Sequence, residues 1–380
     1  VTTITRVTTT PLTAGMPRPW VPSAPWLHLV RVDVECSDGV TGTGFSWTPT
    51  IGAAAVRALL DTDIAEFVVG READARSLWP QLWRHLHEAG GGGITTIAMA
   101  GIDLALWDAA GQRSSLGLAD AVGRVRWRVG VYGSGVNLHY PLDELVAQTR
   151  RWVDTGYDAV KIKVGKPDLA EDLDRVAAVR EVLGPHRQLM IDANQRWDLP
   201  TAITALAELE RFDPHWIEEP LRSDDTLGYV ELRRSTSVPV AMGENVHTAF
   251  RVRELADLGA ADILQPNVVR VGGITPFLEI AALVDDAGLV LAPHLLPELS
   301  GQLAMAIAQE TRIERVEDAD LDTLGLLAAP SPVVFAGATL TAPGAAGTGI
   351  RLVTQSPSGA DNDTHAPHSP ATSPAPTEAS

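Results

Sequence analysis

The sequence predicts a parallel (β/α)8-type barrel preceded by an α+β region, and three observations carry that prediction. From about Arg128 onward, short apolar runs alternate with helical ones. "RVGVYGS", "VKIKV", "QLMID", "HWIEEP", "VPVAMGE", "ADILQPN", "LVLAPH" and "RIERVE" make eight. Most of these runs are apolar along their length, as in strands covered on both faces. Nearly every run also ends on a polar or charged side chain, and from the second run on these ends recur at about 23 to 29 residues, one strand–helix unit each. A doubly wound sheet is the competing arrangement.

The elements follow in order. "LHLVRVDVECSDGVTGTGFSW" reads as two alternating β runs joined by a turn at Ser37–Gly39, a hairpin. Helical segments are expected at about Ile51–Leu60, at about Ala73–His87 and over "TTIAMAGIDLALWDAAGQ" at 95–112. In the last of these, Ile97, Gly101, Leu104 and Asp108 share a face whose small residues allow close packing. Within the barrel region, "DLAEDLDRVAAVREVLG" sets Leu169, Leu173, Val176 and Leu183 near helical spacing. The Pro-rich stretch "LTAGMPRPWVPSAPWLH" is expected to be a loop. Residues 354–380, rich in Ser, Pro, Thr and Ala, are expected to form a disordered tail, with His365 and His368 solvated.

Composition narrows the function. The chain of 380 residues carries a formal charge of −18, which argues against nucleic acid and against an anionic membrane surface as partners. One cysteine, Cys36, excludes an internal disulfide framework and suits a reducing cytoplasm. Neither a run of 18 apolar residues nor a basic segment leading into an apolar one is present, so neither a membrane span nor a signal peptide is expected. The expectation is a soluble, cytoplasmic protein.

The strand ends carry the chemistry. They read Lys163, Asp192, Glu218, Glu244, Asn267, His294 and Glu317, and barrel enzymes keep their reacting groups at that end. Asp192, Glu218 and Glu244 on successive strands cannot all stay ionised without a cation between them. Three carboxylates with no Cys or His nearby suit a hard ion, Mg²⁺ rather than Zn²⁺. Any one of them could instead cap a helix or meet a local Arg; three in register favour the cation. Lys161 and Lys163 fall on one face of their strand, where each ammonium makes the other easier to deprotonate.

"VKIKV", "MIDANQ", "WIEEP", "MGEN" and "APH", in this order, resemble the barrel of the enolase superfamily, mandelate racemase subgroup. "AGIDLALWDAAG" resembles the helix that joins that family's capping domain to its barrel. The resemblance covers residues 1–353 and implies an α+β capping domain over 1–125, a modified TIM barrel over 126–322, and a return to the capping domain over 323–353. It implies that Asp192, Glu218 and Glu244 bind Mg²⁺, which holds a substrate carboxylate and stabilises the enediolate formed when the α-proton leaves. Lys163 resembles the base, with Lys161 as its partner. Lys161 and the metal would then bring the neutral amine of Lys163 within reach near pH 7. His294 resembles a second acid/base on the opposite face of the substrate, and Asn194 a hydrogen-bond partner of the substrate. Glu317 is expected to donate to the enediolate oxygen, with Glu314 as the neighbouring alternative.

One position departs from the subgroup. Asn267 stands where an aspartate normally pairs with the histidine, and related lactonising and dipeptide-epimerising enzymes place a lysine there. The amide oxygen of Asn267 is expected to accept a hydrogen bond from His294, without the charge that would strengthen the base. The loop carrying Arg18, Trp20 and Trp26 is expected over the barrel mouth, with a second loop near Trp47–Ile51. Arg18 would meet a distal carboxylate or hydroxyl, and the tryptophans would favour a less polar substrate; both could equally pack the domain interface. The resulting expectation is Mg²⁺-dependent dehydration of an acid sugar to a 2-keto-3-deoxy acid by a homo-oligomer. A racemase or epimerase of a 2-hydroxy acid is the alternative, and a catalytically silent carboxylate-binding protein the third reading.

Overall fold

Strand β1 (Ile4–Gly15) pairs antiparallel with β2 (Trp26–Cys36), and β2 with β3 (Thr41–Trp47), in a three-stranded sheet. These and all other elements come from a computed structural model, which describes residues 1–357. The tail histidines His365 and His368 lie outside the described residues. Within them, the stretch expected to begin the tail still packs, since Thr13 N donates to Ser356 Oγ. Only residues 16–25 connect β1 to β2, so the expected Pro-rich loop is shorter than its composition suggested. β1 itself is a run of threonines with little apolar alternation, built from β-branched side chains that favour a pleated edge.

Five helices follow. α1 (Ala53–Leu59) runs through a π-turn into α2 (Ala65–Val68), followed by α3 (Ala75–Leu86), α4 (Ile94–Ser114) and α5 (Leu118–Val122). α4 lies directly on β3, and glycines set the distance. A Cβ at Gly44 would fall 2.2 Å from the carbonyl oxygen of Gly101, and one at Gly101 would fall 2.5 Å from a Val32 methyl. Among the described residues α4 is the one helix long and apolar enough to cross a membrane by length and composition, and it is buried inside the molecule.

The barrel strands are β4 (Arg128–Ser134), β5 (Ala159–Lys163), β6 (Gln188–Asp192), β7 (Trp216–Glu218), β8 (Val240–Met242), β9 (Ile263–Leu264), β10 (Val290–Leu291) and β11 (Arg312–Val316). Between them lie α6 (Leu142–Asp154), α7 (Leu169–Leu183), α8 (Leu199–Leu209), α9 (Thr226–Ser235), α10 (Ala249–Leu258), α11 (Ile274–Asp286) and α12 (Pro297–Ala304). Asp168, Asp198, Asp225 and Thr248 cap four of these helices through their side chains. The strands pair in parallel and in chain order from β4 to β10, and β11 closes onto β4. No backbone ladder joins β10 to β11 among the described residues; side chains bridge that seam. Gln309 accepts from Leu291 N and donates to Leu289 O, and Thr311 Oγ1 donates to Leu291 O.

No helix follows β11 in the described residues. The hairpin of β12 (Val334–Ala336) and β13 (Thr339–Thr341) instead adds to the barrel sheet, antiparallel to the start of β4. The chain then returns to the first domain. Thr348 N and Arg351 both donate to the buried carboxylate of Asp108 on α4, and Arg31 of β2 donates to Leu352 O. The segment expected to return to the capping domain thus also contributes a hairpin to the barrel sheet. Inside the barrel, Tyr132, Ala159, Met190, Trp216, Ala241, Ile263 and Ala292 form a separate apolar plug.

Asp103 on α4 also ties the domains together, since its Oδ2 accepts from Thr275 N in the first turn of α11. Burial pushes its carboxyl up from the usual 3.8 to about 7. The folded protein then holds this proton more tightly than the unfolded chain. Stability from this group is fully present below about pH 4 and is lost as pH rises through about 7. Asp103→Asn, which keeps an oxygen for Thr275, is expected to flatten the fall in denaturation free energy between pH 4 and 8. The check is urea unfolding across that range; an unchanged pH slope would contradict it.

Candidate active site

The β5–β6–β7 register fixes the centre of the site. Lys163 pairs with Asp192, and Asp192 with Glu218, so three charged strand ends stand side by side at one mouth of the barrel. Alternation along β5 points Lys161 and Lys163 to the same side, and both are buried. Lys161 Nζ lies 2.6 Å from Glu218 Oε1, 2.8 Å from Glu314 Oε1 and 3.6 Å from Asp192 Oδ2. Lys163 Nζ donates to Asp192 Oδ2. The second oxygen of Glu218 accepts from Gln265 Nε2 at 2.7 Å and from Trp216 Nε1 at 3.2 Å. Glu244 Oε2 lies 3.0 Å from His294 Nε2, and Glu314 Oε2 lies 3.9 Å from the same nitrogen.

These contacts set the protonation states. Burial works against the ammonium of Lys161, but Glu218 and Glu314 together outweigh it and raise its pKa well above the usual lysine range. For Lys163, burial is likewise outweighed by Asp192, and the pKa is raised. Lys161 does push the Lys163 ammonium toward deprotonation, as expected, but Asp192, whose oxygen accepts from Lys163 Nζ, outweighs it. Burial, reinforced by Asp192, pushes Glu218 up to about 7 against the pull of Lys161. Glu314 is held at about 2, since Lys161 and His294 outweigh its burial.

Among the described residues, no three acidic or imidazole side chains converge as a ready-made cation cage. Asp192 is turned onto Lys163, Glu218 onto Lys161, and Glu244 onto His294. The donor set nevertheless fits a hard divalent ion: three carboxylates at adjacent strand ends, two of them fully buried, with oxygen as the donor atom throughout. Glu219 follows Glu218 with a left-handed backbone (φ 38°) and accepts from Asn245 and Gln195 instead.

Asn267 meets His294 the opposite way round from the expectation. Its amide oxygen accepts from Val269 N at 3.0 Å and Arg270 N at 3.1 Å. Its amide nitrogen therefore faces His294 Nδ1 at 3.2 Å and must be the donor. Nδ1 is an acceptor in that contact, so the neutral imidazole carries its hydrogen on Nε2, toward Glu244. The sequence identifies the residue type but not which backbone groups claim the oxygen.

Several expected residues lie elsewhere. Glu317 is bound by Arg151, Gln148 and Arg18, outside the lysine cluster; the residue of the eighth strand that enters the cluster is Glu314. Val316 ends β11, so Glu317 already belongs to the turn beyond it. Arg18 is tied to Glu144, Glu317 and Asp318 and does not line the cavity above the lysines. Trp26 starts β2 and packs over Gly15 on the neighbouring strand, again away from the cavity. Trp20 and Asn194 do line it, as do Lys163, Glu244, Asn267, His294 and Glu314. That cavity holds about 310 Å³, and from the capping region Trp20, Trp47, Pro49 and Thr50 line it. Sequence reasoning missed Arg196, Arg270, Leu138 and Leu295 in its wall. The one local sign for Arg196 is its place directly after "DANQ".

Comparison with known proteins agrees with this geometry. The family model "Enolase C-terminal domain-like" matches residues 144–356, and "Mandelate racemase / muconate lactonizing enzyme, N-terminal domain" matches residues 15–123. The 3,6-anhydro-alpha-L-galactonate cycloisomerase of Streptomyces coelicolor is 38% identical over 288 residues, 76% of this chain and 80% of that one. The L-talarate/galactarate dehydratase of Salmonella typhimurium is 38% identical over 292 residues, 76% of this chain and 73% of that one. A crystal structure of a racemase from Streptomyces coelicolor with bound magnesium superposes with a TM-score of 0.86 at 35% identity, covering 92% of this chain and 97% of that one. With a lysine pair, three strand-end carboxylates and a histidine gathered at one barrel mouth beneath an α+β cap, the chain belongs to the enolase superfamily, in its mandelate racemase / muconate lactonizing enzyme family.

Proposed function

We propose that the protein is a Mg²⁺-dependent lyase that removes the proton α to a carboxylate of an acid sugar and dehydrates it to a 2-keto-3-deoxy acid. The observation that carries this reading is the buried Lys163 lining a cavity together with Glu244, Glu314 and His294. Mg²⁺ held by Asp192, Glu218 and Glu244 would stabilise the negative charge of the enediolate and compete with Lys163 for Asp192. Lys163 takes the α-proton. Lys161, fixed between Glu218 and Glu314, keeps positive charge beside the reacting carboxylate. Asn194, at the cavity wall, is placed to hydrogen-bond the substrate. His294 directs an N–H toward the cavity side of the site and favours departure of the β-oxygen by donating to it.

That tautomer also separates the two enzymatic readings. Two-base racemisation needs a free lone pair on the histidine nitrogen facing the substrate, and Asn267 sets the lone pair on the other one. Elimination with Lys163 as the base is therefore favoured over racemisation, and a silent binding protein would have no need of the buried lysine pair. A cytoplasmic location and a homo-oligomeric state are part of the proposal, on composition and family alone.

Three outcomes test these roles. Lys163→Ala is expected to lose substrate α-proton exchange in D₂O by about 10³-fold while still binding Mg²⁺ by calorimetry; Asp192→Asn is expected to lose Mg²⁺ binding as well. Persistent exchange in Lys163→Ala removes it as the base.

Glu314→Gln is expected to lower kcat by about 10²-fold or more, through loss of the charge that fixes Lys161. Glu317→Gln, which only loosens the Arg18–Arg151 cluster, should stay within a few-fold. The reverse order in steady-state kinetics would return the role to Glu317.

Asn267→Asp is expected to let His294 place its hydrogen on Nδ1 and so expose an acceptor at Nε2. Exchange of the epimer whose α-proton faces His294 should then rise relative to the other. Equal exchange of both epimers by the native protein would restore the racemase reading.

A further inference from the structure

We infer that Asn137 and Gln148 are positioning residues for Lys163, and that they couple its backbone to Arg18 in the capping loop through Glu317. The inference rests on the reading of Lys163 as the base. It concerns a line of hydrogen bonds that runs away from the cavity, behind the reacting groups.

The line begins where a strand ladder stops. β4 ends at Ser134, which pairs with Lys161, and Gly135 N still donates to Lys161 O at 3.2 Å. On the other side β6 continues to the end of β5, with Lys163 opposite Asp192 and Val164 N donating to Asp192 O at 2.9 Å. The buried N–H of Lys163 therefore has no strand partner on the β4 side, and a buried N–H needs one. Asn137 supplies it: its Oδ1 accepts from Lys163 N at 3.0 Å. Asn137 is buried between Val136 and Leu138, which line the cavity, while its own side chain turns into the protein.

Two amides in series then lead outward. Asn137 Nδ2 donates to Gln148 Oε1 on α6 at 2.7 Å, and Gln148 Nε2 donates to Glu317 Oε2 at 2.8 Å. Arg18 Nε meets that same oxygen at 3.1 Å. The direction of every bond is fixed from both ends. Lys163 N can only donate, and a carboxylate can only accept, so each amide has one workable orientation. Burial works against the Glu317 carboxylate, but Arg151, Gln148 and Arg18 outweigh it and hold its pKa below the usual range. Gly135 leaves space for the pair, since a Cβ there would fall 2.3 Å from both Asn137 Nδ2 and Gln148 Oε1.

The far end of the line belongs to the capping region. Arg18 lies in the connection between β1 and β2 that also carries Trp20 over the cavity. Its ion pairs with Glu144, Glu317 and Asp318 fix that connection to the barrel. The near end matters because Lys163 is held at its tip by Asp192, one of the three carboxylates assigned to Mg²⁺. A carboxylate given to the metal no longer holds the ammonium, and the root of the side chain then carries its placement. Small misplacements of a reacting group are costly in rate.

The test reads the lysine itself. The chain contains three lysines, Lys161, Lys163 and Lys166, so ¹⁵N-lysine labelling yields three backbone amide signals, and Lys166→Arg helps to assign them. Asn137→Ala is expected to speed hydrogen exchange at the Lys163 amide by about 10-fold or more, with Lys161, inside the ladder, as the unchanged control. Arg18→Gln is expected to speed it by about 3-fold, and to add nothing in a Gln148→Met background. Arg18 is partly exposed, so this arm holds even where Asn137→Ala does not fold. With the Mg²⁺-loaded enzyme and a hexarate, then a hexonate, as probe, Asn137→Ala is expected to lower kcat for α-proton exchange by about 10-fold while KM stays within a few-fold. An unchanged Lys163 amide in Asn137→Ala or Arg18→Gln overturns the inference, as does an Arg18 effect of equal size without Gln148, or a raised KM at unchanged kcat. Exchange that survives Lys163→Ala, or is absent with both probes, overturns the base reading instead, and the amide signals then decide the coupling by themselves.

Discussion

Two lysines and four carboxylates share the buried mouth of the barrel, and their mutual neutralisation is the constraint on which the site depends. Lys161 and Lys163 sit on one face of β5, where alone they would repel each other in a medium that already disfavours charge. Asp192, Glu218 and Glu314 stand between and beside them, and Glu244 meets His294. Removing one partner would leave another buried charge without compensation, which is far more destabilising than the pair is stabilising. The groups that perform the chemistry are thus also the groups that make the mouth of the barrel tolerable as a folded structure.

Parallel in-register pairing is what brings them together. Each strand end advances one position around the barrel, so residues 26 to 29 apart in the chain become neighbours across a ladder. Apolar side chains below them plug the barrel, with Tyr132 and Trp216 in edge-to-face contact at 5.7 Å. The plug keeps water from reaching the charges from beneath, and a low local dielectric strengthens every contact above it.

Chemistry and selection are divided between the domains. The barrel supplies the charged strand ends, while β3 and the loop before β2 supply Trp47 and Trp20 over the cavity. That division works only if the domains are fixed relative to one another. The Asp103 contact to α11 and the return of residues 348–351 onto Asp108 provide the fixing. Both anchor on buried carboxylates of α4, Asp103 and Asp108, where a lower local dielectric strengthens the contacts they accept.

The sequence by itself determined the barrel, the capping region and the identity of the charged strand ends. Period-two strands, helical spacing and recurring polar ends are local signals, and local signals survive without coordinates. "VKIKV" and "WIEEP" could be placed on strands because their neighbours are apolar, and the ordered motifs named the family. Tertiary structure alone decided the rest. It chose Glu314 over Glu317, because three residues of sequence do not say where β11 stops. It set Arg18 into ion pairs, because its partners Glu144, Glu317 and Asp318 lie over 120 residues away in the chain. It turned Asn267 so that its nitrogen meets His294, because two backbone N–H groups of the following turn claim the oxygen. It let Asp192 outweigh Lys161 at the Lys163 ammonium, because the distance from an ammonium to a carboxylate on the next strand is a property of the fold and not of the chain.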